Sequence, residues 1–217
     1  MKTIIDEFGV SYSEDHRILV KGNSDLEEYT VPEGTEVIGN DAWGKMDKLK
    51  KINLPEGLLE IGSLAFSGCM GLTAIQLPST LKEIGGYAFE FTMLRSIVIP
   101  EGITVLHNDL FGECFGLGAV VLPSTLESIE EFTFCSCPFA QLVLLANERK
   151  LTNINSKAFD GSKAIILVPY GLQREYAAAF PIHNMRIFGM KILKNSGKAD
   201  VYSPTGEIVG EIPVERV

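Results

Sequence analysis

Pairs of aliphatic residues, separated by one other residue and followed by proline, recur at a nearly constant interval along the chain. The prolines lie 23, 23, 22 and 23 residues apart, at Pro32, Pro55, Pro78, Pro100 and Pro123. A period of this length indicates repeated structural units. Within each block the aliphatic residues alternate with others, which predicts a short β-strand with one buried face. Proline stops that strand, and the Glu-Gly or Ser-Thr pair after it predicts a corner.

Aromatic residues recur with the same period and occupy the middle of each unit. They are Trp43, Phe66, Phe89, Phe111, Phe134 and Phe159. Small or sulfur-containing residues follow three positions later, at Met46, Cys69, Thr92, Cys114, Cys137 and Ser162. The stretch around each aromatic predicts a tight helical or 3₁₀ turn. Because one coil cannot bury its own apolar edge, the coils are expected to stack into a right-handed solenoid with a buried aromatic ladder.

The unit from Leu54 to Gln76 displays the full pattern, Leu-Pro-x-x-Leu-x-x-Ile-Gly-x-x-Ala-Phe-x-x-Cys-x-x-Leu-x-x-Ile. This pattern resembles the leucine-rich repeat of BspA-type bacterial surface proteins over roughly residues 29–169. The resemblance implies a BspA-like repeat solenoid of about six coils, built mostly from short β-strands with 3₁₀ or helical turns. One departure is the absence of asparagine three positions beyond the strand, where Gly57, Thr80, Gly102 and Thr125 stand. The carbonyl groups at that corner must therefore be satisfied by other means.

Changes in the pattern define three regions of the chain. Residues 1–28 are expected to form an N-terminal β-hairpin cap, and residues 29–170 the leucine-rich repeat solenoid. Residues 171–217 are expected to form a C-terminal cap helix, over 171–180, and a β-meander tail. The helix is predicted because Leu172, Tyr176 and Ala179 share one face at helical spacing, and the tail because turn signals interrupt alternating apolar residues.

Composition and charge exclude or disfavour some classes of protein and of partner. The 217 residues carry a net charge of −9 and are 46% hydrophobic, which excludes dominant disorder and disfavours nucleic-acid binding. No apolar stretch approaches the roughly 20 residues needed to span a membrane. The first residues contain no apolar signal region. The localisation is therefore open: a cytoplasmic protein is expected for the chain as written, and a cell-surface or secreted protein if a signal was removed.

Catalytic and metal-binding motifs are missing from the sequence. It has no glycine-rich phosphate loop, no His-Glu-x-x-His motif and no Gly-x-Ser-x-Gly motif. His107 aligns with Glu130 of the following unit, which predicts a surface ion pair. The cysteine column is interpreted as inward packing, because free cysteine buries well. An enzyme is therefore the least favoured function, and no cofactor or metal is expected.

The outward side of the predicted strands becomes increasingly aliphatic along the chain. The resulting candidate partner surface consists of Val98, Val121, Leu142, Leu144, Ile165 and Leu167. An exposed apolar patch usually marks a binding site, so it could bind a protein partner or a second copy of the chain. Alternatively, the C-terminal tail folds back and covers it. The favoured function is a non-enzymatic protein-protein interaction module, and the resemblance implies, as an alternative, a cell-surface adhesin-like protein that binds host or matrix proteins.

Overall fold

The architecture is that of a computed structural model, which describes residues 2–137, 141–144, 153–162, 165–174, 176, 186–193, 198–203 and 205–213. The described strands are β1 (Thr3–Ile5), β2 (Ser11–Ser13), β3 (Ile18–Lys21), β4 (Glu28–Thr30), β5 (Val37–Ile38), β6 (Lys51–Asn53), β7 (Glu60–Ile61), β8 (Glu83–Ile84), β9 (Ser96–Val98), β10 (Val105–Leu106), β11 (Ala119–Leu122), β12 (Ser128–Ile129), β13 (Gln141–Leu144), β14 (Asn153–Ile154), β15 (Ile165–Pro169), β16 (Arg186–Leu193), β17 (Lys198–Tyr202) and β18 (Ile208–Pro213).

The strands form a β-solenoid in which successive coils stack in parallel. Strands that come shortly before a proline or its equivalent form one row, which we call the face ladder: β4, β6, β9, β11, β13 and β15. Strands that come after it form a second row, the side ladder: β5, β7, β8, β10, β12 and β14. The coils are numbered 1 to 6, and coils 1 to 5 begin at the five regularly spaced prolines. The predicted solenoid of about six coils is confirmed.

The predicted alternation of buried and exposed positions holds along the face ladder. Ile52, Ile97 and Val120 are buried, whereas Lys51 and Ser96 beside them in sequence are exposed. Most of the buried apolar side chains belong to one hydrophobic cluster that extends from the N-terminal hairpin to β16. The core is therefore a column parallel to the solenoid axis, and every coil contributes to it.

Five of the predicted aromatic residues stack almost parallel to one another at its centre. Ring centroids are 5.6 Å apart for Phe66 and Phe89, 5.8 Å for Phe89 and Phe111, and 5.5 Å for Phe111 and Phe134. Phe159 continues the stack at 5.2 Å. Trp43 is also buried but packs against Tyr29 of the preceding segment, at 5.4 Å. The predicted buried ladder of aromatic rings is confirmed.

A compact turn around each aromatic, which we call the aromatic corner, joins the two ladders. In coil 2 the amides of Leu64, Phe66 and Gly68 donate to carbonyls of coil 3, at 3.0, 2.8 and 2.8 Å. Bonds between residues three apart, such as Ala65 N–H to the Gly62 carbonyl at 3.3 Å, tighten the same turn. Leu64 and Gly68 have φ values of 60° and 74°. The corner therefore places side-chain-bearing residues in the left-handed region.

Both ends of the solenoid carry additional strands. At the N-terminus β1, β2 and β3 pair antiparallel, and β3 continues in parallel with β5. At the C-terminus β16 pairs in parallel with β15, and β17 and β18 extend the sheet antiparallel. The meander therefore lies beside β15 in the same sheet. Of the predicted helix, Gln173, Arg174 and Tyr176 are helical; most of 171–180 otherwise lies outside the described residues, so this helix and the domain boundaries stay predictions.

Each ladder is interrupted once among residues 2–137. The face ladder consists of a two-stranded piece, β4 and β6, and a seven-stranded sheet that begins at β9. Residues 74–76 of coil 2, which lie between them, pair with neither. The side ladder is interrupted between β8 and β10. Because the aromatic corner bonds continue across both interruptions, this corner holds the two halves of the solenoid together.

Candidate partner-binding face

The outer surface of the face ladder carries a row of apolar residues that are in register with one another. Val98 pairs with Val121, Val121 with Val143, and Val143 with Leu167. We call these four residues the outward column. Val98 is 44% exposed and Val121 is half-buried. Two branched apolar side chains on neighbouring coils therefore contact solvent side by side.

The strand register places two residues of the candidate surface beside core positions of the preceding coil. Leu142 pairs with Val120 and Leu144 pairs with Leu122, and both of these partners are buried in the core. Leu142 and Leu144 therefore hold register positions equivalent to those of buried residues, and Val143 holds the position equivalent to Val121; the place of Leu142 and Leu144 in the partner surface stays a prediction. The segment between the aromatic residue and the strand is one residue shorter in coil 5 than in coil 4. Because of this difference, Gln141 and not Leu142 pairs with Ala119.

The C-terminal end of the outward column is enclosed by the meander. Leu167 is only 4% exposed and forms a small cluster with Ala199, against which Phe188 and Val201 pack. Ile165, in the neighbouring row, is partly buried against the same cluster. The outward column therefore has an open end in coils 3 and 4 and a covered end in coil 6.

Two hollows lie beside the open end, one on each side of the unpaired residues 74–76. The smaller has a volume of about 580 Å³ and is lined by residues of coils 1 and 2, including Lys51, Asn53 and Gln76. The larger has a volume of about 650 Å³ and includes Val98 and Val121 in its lining. The repeat pattern gives no sign of these hollows, because Leu72-Thr-Ala-Ile-Gln-Leu77 matches it fully.

The corners after Pro78 and Pro123 show what replaces the asparagine ladder there. The Thr80 hydroxyl accepts the Gly57 amide and donates to the Leu58 carbonyl, both at 2.9 Å. Thr125 makes the same two bonds to Gly102 and Ile103. A threonine side chain therefore satisfies a donor and an acceptor of the preceding coil.

An acidic side chain reinforces each of these corners. Glu56 accepts the Ser79 hydroxyl at 3.0 Å, and Glu101 accepts the Ser124 hydroxyl at the same distance. A Pro-Glu-Gly coil is thus bonded to the Pro-Ser-Thr coil that follows it. The alternation of these two sequences pairs coil 2 with coil 3 and coil 4 with coil 5. The sequence shows which residues follow each proline, but it does not show these bonds between coils.

His107 lies between two carboxylates on the side ladder. Its Nε2 is 2.7 Å from Glu83 and its Nδ1 is 3.1 Å from Glu130. Burial lowers the pKa of His107, but the hydrogen bonds to Glu130 and Glu83 outweigh it, so this pKa is raised above its usual value. The predicted contact with Glu130 is confirmed, and Glu83 is a second partner that the sequence alignment of units had not indicated.

The cysteine column faces the core, as predicted. Cys69 and Cys114 are fully buried, and each thiol donates to the carbonyl of an aromatic residue one coil earlier, Trp43 at 3.1 Å and Phe89 at 3.0 Å. Burial raises the pKa of Cys69 to about 12 and that of Cys114 to about 11. Both thiols are protonated at neutral pH and therefore serve as structural donors.

The charged and sulfur-containing groups do not assemble into a metal site in the part of the chain that the structure describes. Within the same residues there is no helix of the length and apolar character that a membrane crossing requires.

A family model described as the BspA type leucine rich repeat region matches the chain in six copies, over residues 21–141 and 105–184. A search of curated proteins found no match. The sequence match therefore rests on the repeats, and together they span more than half of the chain.

Solved structures from bacteria share the fold. The pneumococcal vaccine antigen PcpA is 19% identical with a TM-score of 0.69, over 85% of this chain and 47% of its own. A leucine-rich repeat protein of T. pallidum is 20% identical with a TM-score of 0.58, over 82% and 92%. One from Eubacterium ventriosum is 24% identical with a TM-score of 0.57, over 74% and 50%. The chain thus spans about half the length of the first and third.

Proposed function

Since the chain belongs to the BspA-type leucine-rich repeat family, we propose that it is a non-enzymatic module that binds a protein partner through the face ladder. The observation that carries this proposal is the open end of the outward column, where Val98 and Val121 contact solvent on adjacent coils. A solenoid can vary its outward side chains without disturbing its core. The partner is expected to cover these two side chains.

The residues around the outward column support the proposal that its valines form a binding surface. Ser96 and Ala119 flank the valines in the neighbouring row, so no charged side chain shields them within β9 and β11. Hydrophobic side chains with an uncharged border are typical of the centre of a protein interface. A second copy of the chain is one possible partner, and a different protein is the other.

The proposal is tested with Val98→Glu and Val121→Glu, singly and together. Met70→Glu is the matched control, because Met70 is 59% exposed and follows the aromatic corner instead of the face ladder. Wild-type chain and variants are compared by light scattering after size-exclusion chromatography and in selection from a displayed library of protein domains. We expect self-association or domain binding in the wild type and in Met70→Glu, and its loss in the valine variants at unchanged thermal stability.

Two results would contradict the proposal. One is that Val98→Glu and Val121→Glu unfold the chain, because the valines would then belong to the core. The other is that binders selected on the wild type bind all variants equally.

A second candidate function is an adhesin-like role at the bacterial surface. It is supported by one similar structure, that of a leucine rich cell surface protein of Faecalibacterium prausnitzii, which is 21% identical over 95% of this chain and 60% of its own, with a TM-score of 0.57. Fractionation of cells that express the complete gene tests it. Recovery of the protein only from the cytosol would reject this role without affecting the module proposal.

A further inference from the structure

The floor of the larger hollow is apolar and extends over three successive coils. Ile75, Val98 and Val121 lie in its lining, one from each of coils 2, 3 and 4. Ile75 and Val121 are partly buried, and Val98 is exposed. The volume of about 650 Å³ lies within the range of pockets that bind ligands. The floor therefore favours contact with an apolar side chain.

Two carboxylates provide all the charge in the described lining of this hollow. They belong to Glu56 of coil 2 and Glu101 of coil 4, and neither lysine nor arginine is present among those lining residues. Each glutamate directly follows the proline that begins its coil, so the two occupy equivalent positions two coils apart. Two coil spacings amount to roughly 10 Å. The hollow thus combines an apolar floor with two negative charges that are separated along the solenoid axis.

Hydrogen bonds to the next coil hold both carboxylates in place. The Ser79 hydroxyl donates to Glu56 at 3.0 Å. The Ser124 hydroxyl donates to Glu101, also at 3.0 Å. Desolvation raises the pKa of Glu101, but hydrogen bonds from Ser124 and Thr125 outweigh it, so this pKa is lowered and the side chain is ionised at neutral pH. Both glutamates are exposed, and neither forms an ion pair with the residues that the structure describes.

The basic side chains of this face lie beside the other hollow. Lys50 and Lys51 line the smaller hollow, across residues 74–76, and the Lys50 ammonium is bonded to Glu27 at 2.8 Å. The whole chain carries a net charge of −9, which attracts a basic partner from a distance. A second copy of the chain is disfavoured as the occupant of the larger hollow, because two identical faces in contact would bring these like charges together.

We propose that the larger hollow binds a segment of a different protein in which an apolar side chain lies between two basic side chains. The apolar side chain contacts Val98 and Val121, and the basic side chains form ion pairs with Glu56 and Glu101. Hydrogen bonds between charged groups of this kind are stronger than those between neutral groups. This inference rests on the proposed function and specifies the chemistry of the partner that the face ladder takes.

The test uses a heptapeptide with blocked ends, Gly-Arg-Ser-Leu-Ser-Arg-Gly, in which the leucine and both arginines share one face of an extended chain. Two control peptides replace either both arginines by glutamate or the leucine by serine. Binding to the full chain is followed by NMR titration of the backbone amides. The first peptide should shift the signals of Val98 and Val121 and leave that of Val37, on the side ladder of coil 1, unchanged. Each control peptide should bind about tenfold more weakly, because it lacks either the two cations or the apolar side chain.

Variants of the protein test the role of the two carboxylates. Glu56→Gln and Glu101→Gln remove the charge but keep the shape of the side chain and an oxygen that accepts the serine hydroxyl. Each should weaken binding about two- to fivefold, as expected for an exposed ion pair, and the double variant should show about the product of the two effects. Glu33→Gln is the matched control and should leave binding unchanged. Glu33 follows the proline of coil 1 in the same way but lines neither hollow.

Salt concentration separates the contribution of charge from that of shape. A rise from about 0.1 M to about 1 M shortens the Debye length from about 10 Å to about 3 Å. It should weaken binding to the wild type about as much as the double substitution does, and should change binding to the double variant little. Equal affinity for the arginine and glutamate peptides would overturn the inference, as would unchanged binding in the double variant, signal shifts confined to other sites or no binding at all.

Failure of this inference can be distinguished from failure of the proposed function. If Val98→Glu abolishes binding of a selected domain but the two glutamine variants do not weaken it, the face ladder binds a protein and only the assigned chemistry of the partner is wrong. If Val98→Glu abolishes self-association of the wild type, a second copy is the occupant and the inference is overturned. If the arginine peptide binds in the hollow but no selected domain depends on Val98 or Val121, the inference holds and the proposed function of the wider face is wrong.

Discussion

Replacing side-chain-bearing residues by glycine at the aromatic corner should stabilise the protein. One corner position has positive φ in coils 1 to 6, and it holds Lys45 (61°), Gly68 (74°), Phe91 (55°), Glu113 (55°), Ser136 (55°) and Gly161 (72°). Left-handed backbone costs a residue with a Cβ about 1–2 kcal/mol, a cost that glycine avoids. Glycine loses about 0.5–1 kcal/mol through the greater freedom of the unfolded chain. Lys45→Gly and Ser136→Gly should therefore each stabilise by about 0.5–1 kcal/mol.

Few side-chain contacts are lost at these two positions; the Ser136 hydroxyl lies 3.7 Å from the Cys135 Sγ. The Lys45 side chain is exposed and makes no hydrogen bond or ion pair to the described residues. Lys45 and Ser136 are four coils apart, so their effects should add. The double variant should gain about 1–2 kcal/mol in urea unfolding, and about 2–4 °C in melting temperature for each kcal/mol.

Alanine at the same positions is the control, because it removes the side chain but keeps the Cβ. Lys45→Ala and Ser136→Ala should leave the free energy of unfolding within about 0.5 kcal/mol of the wild type. If the glycine variants prove less stable than the alanine variants, the left-handed corner does not carry the conformational cost assigned to it.

Three further predictions concern the core, the proline corner and pH. Phe89→Ala, at the middle of the aromatic stack, should lower the free energy of unfolding by about 3–5 kcal/mol in urea titration, whereas Phe115→Ala, at an exposed position, should lower it much less. Thr125→Val should cost about 1–3 kcal/mol in the same assay, because Gly102 and Ile103 lose their partner, and Thr125→Ser should restore most of it. The pKa of His107 is raised in the folded chain. Its contribution to stability is therefore complete below its unfolded pKa of about 6.5 and is lost as the pH rises through the folded value. The urea midpoint of the wild type should fall across that pH window, and the midpoint of His107→Gln should fall less.

Each of these has an outcome that would count against it. Equal stability of Phe89→Ala and the wild type would place the ring outside the core. Full stability in Thr125→Val would mean that water replaces the hydroxyl. A pH dependence unchanged in His107→Gln would assign the titration to another group.

The period of the chain sufficed to predict the coils, because the same physical requirements recur in each of them. An aliphatic residue such as Ile52 or Ile97 must be buried in every coil, and the aromatic residue must stack on its neighbour. Local spacing therefore determined the strands, the corners and the core. The contact between His107 and Glu130 followed from the same alignment of units.

Register and pairing could not be obtained in this way. In the run from Leu142 to Leu145 every residue is aliphatic, so both registers satisfy the pattern, and the shorter segment after Cys137 decides between them. Residues 74–76 fit the pattern but do not pair, because pairing depends on the positions of both neighbouring coils. Ala74 and Gln76 are also residues with low strand propensity. The candidate surface therefore depends on strand register and pairing, which the repeat pattern does not determine.

The direction of the hydrogen bonds at the aromatic corner has an electrostatic consequence. In coils 1 to 5 alternate corner amides donate toward the C-terminal end, so their peptide dipoles add along the solenoid axis instead of cancelling as they do in a sheet. The carbonyl end of this axial dipole is negative and lies at coil 1, where the Lys21 ammonium and the Gly22 amide bond to the carbonyls of Asp41 and Ala42. The N-terminal hairpin thus places a positive charge at the negative end of the axial dipole, as a cation lies favourably near the C-terminus of an α-helix.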